Sequence, residues 1–357
     1  MSIYTTDSPH FVRRAAVGVL AGLAAMTLVG CGEEKAPAGP STKAASPSSS
    51  GQSVEPAGES ARLAAQWIAQ ELVDGSHAES EYDGSVFADN GLTIDAMWAL
   101  VAAGEPALAQ KAADWLALRD NAIDYAGDGE QAAYPSAMGK LALAYLTPGL
   151  KVEPEYKSAE ELATSLIGRL KPEGRFRDIS EWGDNSTPAG QAFDIMLLVR
   201  LGQLDGLSVD PVAALMAISC DDGSYPSMFD AEQPCTGDVD TTAIVAQALF
   251  AAGQDAAAEE AFTYLLQAQT EPGRWQNSGA DSVNSTGLAV STLSLWESAE
   301  AKSAVKLGVK ALIDWQLPAT GAFPGGERGE SDLRATVQGV LGLQAVSYLK
   351  LLGIQAQ

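Results

Sequence analysis

Histidine is nearly absent from this 357-residue chain, with His10 and His77 the only two. That scarcity argues against a histidine-driven nucleophile relay, since His77 stands in a turn with no serine or cysteine motif beside it. Cysteine is almost as rare, at three residues, so a zinc site of ordinary Cys/His type is not expected, and no metal or cofactor is implied. Positive charge is also short: 22 basic residues face 46 acidic ones, a net charge of −24. A surface so acidic excludes nucleic acid as a partner and disfavours broad docking on anionic lipid. The longest apolar run, Ala15 to Gly30, is too short to read as a membrane span. No β-rich stretch stands out.

That apolar run follows Arg13 and Arg14, the charge-then-hydrophobic order of an export leader. It ends in Leu28-Val29-Gly30-Cys31, which resembles the lipobox of bacterial lipoproteins. The resemblance implies a leader over 1–30, a lipidated Cys31 held in the bilayer, and a location on the extracytoplasmic face of a cell membrane. Residues 31–58 are rich in Ser, Pro, Ala and Gly and lack apolar periodicity, as in a tether. A flexible chain of that length spans about 30 Å. In an exported protein the remaining pair, Cys220 and Cys235, is expected to form a disulfide.

From residue 59 to 355 the chain repeats itself. A glycine, one variable residue and an aromatic recur as Gly174-Arg175-Phe176, Gly223-Ser224-Tyr225, Gly273-Arg274-Trp275 and Gly321-Ala322-Phe323, with the glycines 49, 50 and 48 residues apart. Extrapolating backwards reaches Asp124-Tyr125 and Gly75-Ser76-His77, giving six units of about 50 residues. Each unit holds two helices broken by the glycine turn. The second helix is Ala- and Gly-rich and nearly uncharged, as in Gly91 to Leu100, which suits an inner position; the first has one wet face, as in Ala258 to Leu266. Six such hairpins close into an all-α barrel, because closure covers the apolar face each would leave open. A monomer is expected.

This pattern resembles the α/α toroid (α6/α6 barrel) of terpenoid cyclases and protein prenyltransferases. Gln269-Thr270-Glu271-Pro272-Gly273-Arg274-Trp275 is similar to the squalene-cyclase repeat, and Trp315-Gln316 before Gly321-Ala322-Phe323 is a looser copy. Asp238-Val239-Asp240-Thr241 resembles the Asp-x-Asp-Asp motif of cyclases that protonate an alkene. The resemblance implies Asp240 as proton donor with Asp238 beside it, but Thr241 stands where the third aspartate belongs. Such a cyclase also implies a second helical domain, for which this chain is too short. The competing structural reading makes Asp240 a helix N-cap.

Parallel inner helices place all six N-termini at one end of the barrel, in a mouth favourable to polar or anionic groups. The residues expected there are Asp95, Trp182, Tyr225, Asp240, Trp275, Asn284, Phe323, Asp332 and Arg334, the last with Asp332 or Glu330 as ion partner. Carboxylate chemistry on a sugar could draw on Asp95, Asp194, Asp240 and Asp332, with Trp98, Trp182, Tyr225 and Trp275 as platforms. The leading expectation is a tethered, non-catalytic barrel that captures a small molecule, an isoprenoid or glycan for example, or an envelope protein. The alternative is a divergent toroid enzyme, cyclase-like or glycan-processing.

Overall fold

The computed structural model describes residues 55–230, 234–325 and 329–357. The expected leader, Cys31 and the tether up to residue 54 lie outside the described residues. Six helices form an inner ring: α2 (Asn90–Ala102), α5 (Pro135–Tyr145), α7 (Pro188–Arg200), α9 (Val239–Ala251), α11 (Val283–Leu293) and α13 (Leu333–Leu343). Around them run α1 (Glu55–Glu71), α3 (Pro106–Ala117) with α4 (Arg119–Ala126), α6 (Ala159–Ile167), α8 (Pro211–Met216), α10 (Asp255–Gln267) and α12 (Ala299–Trp315). A short α14 (Tyr348–Leu351) ends the chain. Each inner helix packs on the next, and α13 returns to α2 and α1, so the ring is closed. The expected α/α toroid of six hairpins is the fold. Its first helix starts at Glu55, four residues before the expected boundary.

Composition decides which helix goes inside. Every residue of α7 except Ala189 and Arg200 is buried, whereas α10 buries only Ala258, Ala261, Phe262 and Leu265. Small residues bring the inner helices into backbone contact: a Cβ on Gly287 would lie 2.2 Å from the Gln338 carbonyl oxygen, and one on Gly342 would lie 2.7 Å from the Gly287 Cα.

The recurring turn glycine has the same cause in each unit. Gly174, Gly223, Gly273 and Gly321 all have positive φ, and a Cβ on each would run into the first helix of the following unit: Asp210 on α8's N-cap, Glu260 on α10, Leu307 on α12 and Leu63 on α1. The last of these closes the ring. Gln316 supports the closure, donating to the Ser60 carbonyl at 2.7 Å and to that of Gly321 at 2.6 Å, and Gln269 does the same between units five and six, donating to Ala304 at 3.0 Å. Gly223→Ala combines left-handed strain with a 2.7 Å overlap on the Glu260 carbonyl. It is expected to cost about 2 kcal/mol or more and to lower the melting temperature measurably in a thermal scan.

Short strands, which the sequence did not announce, cover the mouth end. β1 (Glu79–Tyr82) pairs with β2 (Ser85–Ala88), β3 (Trp275–Asn277) with β4 (Ala280–Ser282), and β5 (Phe323–Gly325) with β6 (Glu330–Asp332), each pair antiparallel. In unit four the loop is stapled by Cys220–Cys235, as expected, with the Cα atoms 5.6 Å apart.

Candidate active site

The inner helices share a framework that separates structural from variable positions. The N-caps are Asp89, Thr187, Asp238, Ser282 and Asp332, each accepting from a backbone N–H in the first turn, and Tyr134 stands at this place in unit two without a side-chain bond. Four residues on stand Thr93, Thr242, Thr286 and Thr336. Each of these hydroxyls accepts from the backbone N–H of the residue entering that unit's loop, Ala78, Tyr225, Trp275 and Phe323, at 2.9 to 3.0 Å. Gln191 takes that role in unit three, accepting from Phe176 at 3.2 Å.

This framework corrects several expectations. Tyr225, Trp275 and Phe323 are fully buried, not on the rim, because the threonine bond draws each aromatic beneath the loop. Trp275 also donates from Nε1 to the Leu265 carbonyl at 2.7 Å. Asp332 is spent as an N-cap, accepting from Ala335 at 2.7 Å. In unit five the cap is Ser282 and not Asn284 or Ser285. Arg334 pairs with neither Asp332 nor Glu330 but with Asp89, across the ring seam and 245 positions away, and Ser80 donates to the same carboxylate at 2.7 Å.

Asp240 is not the cap of its helix. Asp238 holds that role, accepting from the backbone N–H and the hydroxyl of Thr241, both at 2.7 Å. Thr241, the residue that departs from the cyclase motif, therefore serves the cap and leaves Asp240 outside it.

Two residues past each cap lies a ring of lumen positions: Gly91, Ser136, Ala189, Asp240, Asn284 and Arg334, all half-buried or exposed. One turn deeper come Asp95, Lys140, Phe193, Ile244, Leu288 and Gln338, of which Asp95, Ile244 and Gln338 keep partial exposure. Below these, Trp98, Gln247 and Ser291 are completely buried. The mouth is thus a cup that closes about two turns down.

The cup has two chemical sides. On one, Lys140 binds Asp95 at 2.8 Å, and its ammonium stands 5.7 Å from the ring centres of both Trp98 and Phe193. Gln338 lies on the neighbouring helix. On the other side Phe193, Ile244 and Leu288 make an apolar arc beneath Asp240. Asp240 Oδ1 is shut off from solvent and has no hydrogen-bond partner. Burial, reinforced by the nearby Asp238 charge and opposed by Ser285 and Asn277, pushes its pKa up to about 6.

Other predicted residues fall elsewhere. Asp194 is completely buried where α7 meets α5: a Cβ on Gly139 would touch its Oδ1, and neither of its carboxylate oxygens has a hydrogen-bond partner. Burial, and to a lesser degree Asp178, hold it protonated far above the usual carboxylate range. Trp182 is 64% exposed in the loop ahead of α7, where burial raises Asp178 to about 6. Lys140 was not anticipated; a lone lysine inside the apolar helix Pro135–Tyr145 was the signal available. Two outer concavities, one of about 530 Å³ between α10 and α12 and one of about 610 Å³ between α10 and the Gly223 turn, are lined by none of the cup residues.

No protein-family model matches the chain, and no curated protein matches it in sequence. Solved structures do match. The type II terpene cyclase MstE from Scytonema aligns at a TM-score of 0.60 and 16% identity, covering 82% of this chain and 98% of that one. The GH76A α-1,6-mannanase from Salegentibacter sp. HEL1_6 aligns at 0.61 and 14%, covering 81% and 98%. The ent-copalyl diphosphate synthase from Streptomyces platensis aligns at 0.50 and 16%, covering 75% of this chain and 51% of that one. At these identities the likeness establishes the fold. It corrects one expectation. The neighbours are enzymes, which turns against a non-catalytic capture barrel.

Proposed function

We propose that this protein is an acid-catalysing enzyme of the α/α toroid class, in which Asp240 protonates a carbon–carbon double bond of an isoprenoid group and starts a cyclisation. One observation carries the reading: at the lumen position where units one, two and three place Gly91, Ser136 and Ala189, unit four places an aspartic acid whose Oδ1 is shielded and without a hydrogen-bond partner, above the apolar arc Phe193, Ile244 and Leu288. A carboxyl group raised to about 6 carries its proton on the acid side of neutrality, and its Oδ1 has no hydrogen-bond partner in the fold. The proton adds to the alkene, the resulting cation closes a ring by taking up a second double bond, and a proton is lost at the end, so the product is an isomer of the substrate.

The polar arc of Asp95, Lys140 and Gln338 faces the apolar one, which suits a substrate with an isoprenoid part and a polar part. A related cyclase structure holds geranylgeranyl dihydroxybenzoate, a molecule of that kind. The expected lipid anchor at Cys31 fits the same reading, since it would keep the barrel beside a membrane, the phase in which such substrates dissolve.

Incubation with geranylgeranylated phenols and free polyprenols in D₂O is the test. Cyclisation predicts an isomeric product carrying one solvent deuteron, absent with Asp240→Asn. Release of sugars from an α-mannan or an unsaturated glucuronide, with no deuterium in any isoprenoid, would move the chemistry to glycan hydrolysis.

A further inference from the structure

The C-terminal segment is not part of any repeat, yet it crosses the closed end of the barrel and is fastened to three inner helices. Ser291 donates to the Val346 carbonyl at 2.7 Å, the Tyr348 N–H donates to Gln247 Oε1 at 2.8 Å, Arg200 donates to the Gly353 carbonyl at 2.6 Å, and the Gln357 N–H to that of Ala251 at 3.1 Å. Ser347 caps its single helical turn, accepting from Lys350 at 3.1 Å. This strap drives one aromatic ring into the barrel. Tyr348 is 1% exposed and meets Trp98 and Phe193 edge-on, with ring centres 5.5 and 5.3 Å away. Its hydroxyl points toward Gln338 Oε1 at 3.4 Å, on the lower lumen ring.

We infer that Tyr348 is the floor of the cup and sets the length of the substrate moiety that the barrel accepts. The Tyr348 hydroxyl reaches Gln338, four residues below the mouth ring on its helix, or about 6 Å of rise, which leaves depth for about one isoprene unit below the mouth. Three aromatic rings supplied by α2, α7 and the strap close that space, and only Tyr348 comes from outside the ring of repeats. Its size is therefore free to set depth without altering how the inner helices pack. The ruler rests on the isoprenoid reading for its substrate, but the floor itself does not.

The test uses Tyr348→Ala in the full chain. p-Cresol, the side chain removed, is expected to raise the melting temperature of the variant and not of the wild type. Among prenol, geraniol, farnesol and geranylgeraniol, wild-type affinity by calorimetry is expected to stop rising at prenol. In the variant it continues to geraniol, about tenfold tighter or more than in the wild type, and added p-cresol restores the wild-type limit. Tyr348→Leu, which keeps apolar bulk, serves if the alanine variant does not fold, with a smaller shift in the same direction. A folded variant with unchanged circular dichroism, no response to p-cresol and the same length limit overturns the inference. p-Cresol rescue without binding of any isoprenoid alcohol to either protein upholds the floor and overturns the isoprenoid reading.

Discussion

Asp240→Asn is expected to lower turnover by about a thousandfold and, at pH 7.5, to raise the melting temperature. Most catalytic substitutions reveal little about stability, but here the two effects share one cause. The folded-state pKa of Asp240, about 6, lies above the ordinary aspartate value of 3.8 because the carboxyl group is buried without a cation. The folded protein therefore binds a proton that the unfolded chain releases between pH 4 and 6. The stabilising contribution is complete below about pH 4, declines as pH rises through 6, and leaves the folded state about 3 kcal/mol worse off at pH 7.5 than an uncharged side chain would. Asparagine keeps the shape and removes the charge. Thermal scans from pH 4.5 to 8 should show a falling melting temperature in the wild type and a flatter profile in the variant, with the curves meeting on the acid side. Turnover should drop by about a thousandfold in the variant, and wild-type activity should decline as pH rises past about 6. A variant that keeps its activity, or is less stable than wild type at pH 7.5, would make Asp240 a structural group.

Much of this barrel can be read along the chain because its repeat is imposed by contacts that recur. The glycine must recur wherever a turn presses on the next unit's first helix, so the spacing of Gly174, Gly223, Gly273 and Gly321 discloses both the number of hairpins and, through Leu63, the closure of the ring. The burial of Tyr225, Trp275 and Phe323 was harder to see, because a glycine-aromatic turn looks like a loop tip when the threonine that holds its backbone is eleven to seventeen residues further on. The cap and the threonine four residues later, Asp238 with Thr242, Ser282 with Thr286 and Asp332 with Thr336, form a second periodic signal. Once these are assigned to the scaffold, Asp240 is the residue of its motif that the scaffold does not use. Contacts lacking any local signature stay hidden: Arg334 with Asp89 joins residues at opposite ends of the domain, and Tyr348 reaches the lumen from a segment outside the repeat.

Lys140→Met is expected to be among the most destabilising single changes in the cup, at about 3 to 5 kcal/mol, although it swaps one long flexible side chain for another. The lysine neutralises Asp95 at 2.8 Å, with side chains only 10% and 15% exposed, and it covers the faces of Trp98 and Phe193. Removing it strands a carboxylate where water barely reaches. Asp95→Asn in the same chain should recover most of the loss, because an asparagine beside a methionine leaves no buried charge, and the double-mutant cycle should return a coupling energy well above that of an exposed pair. Additive losses would show that the pair contributes packing and no electrostatic coupling. The substitution also reports on catalysis. Asp240 on the upper lumen ring and Asp95 on the lower one both keep partial exposure. An unpaired negative charge at Asp95 disfavours a second one at Asp240, and the alkaline limb of the activity profile should move to higher pH in Lys140→Met and return in the double variant. A limb that does not move would place the two carboxylates in electrostatically separate compartments and confine Asp95 and Lys140 to holding α2 against α5.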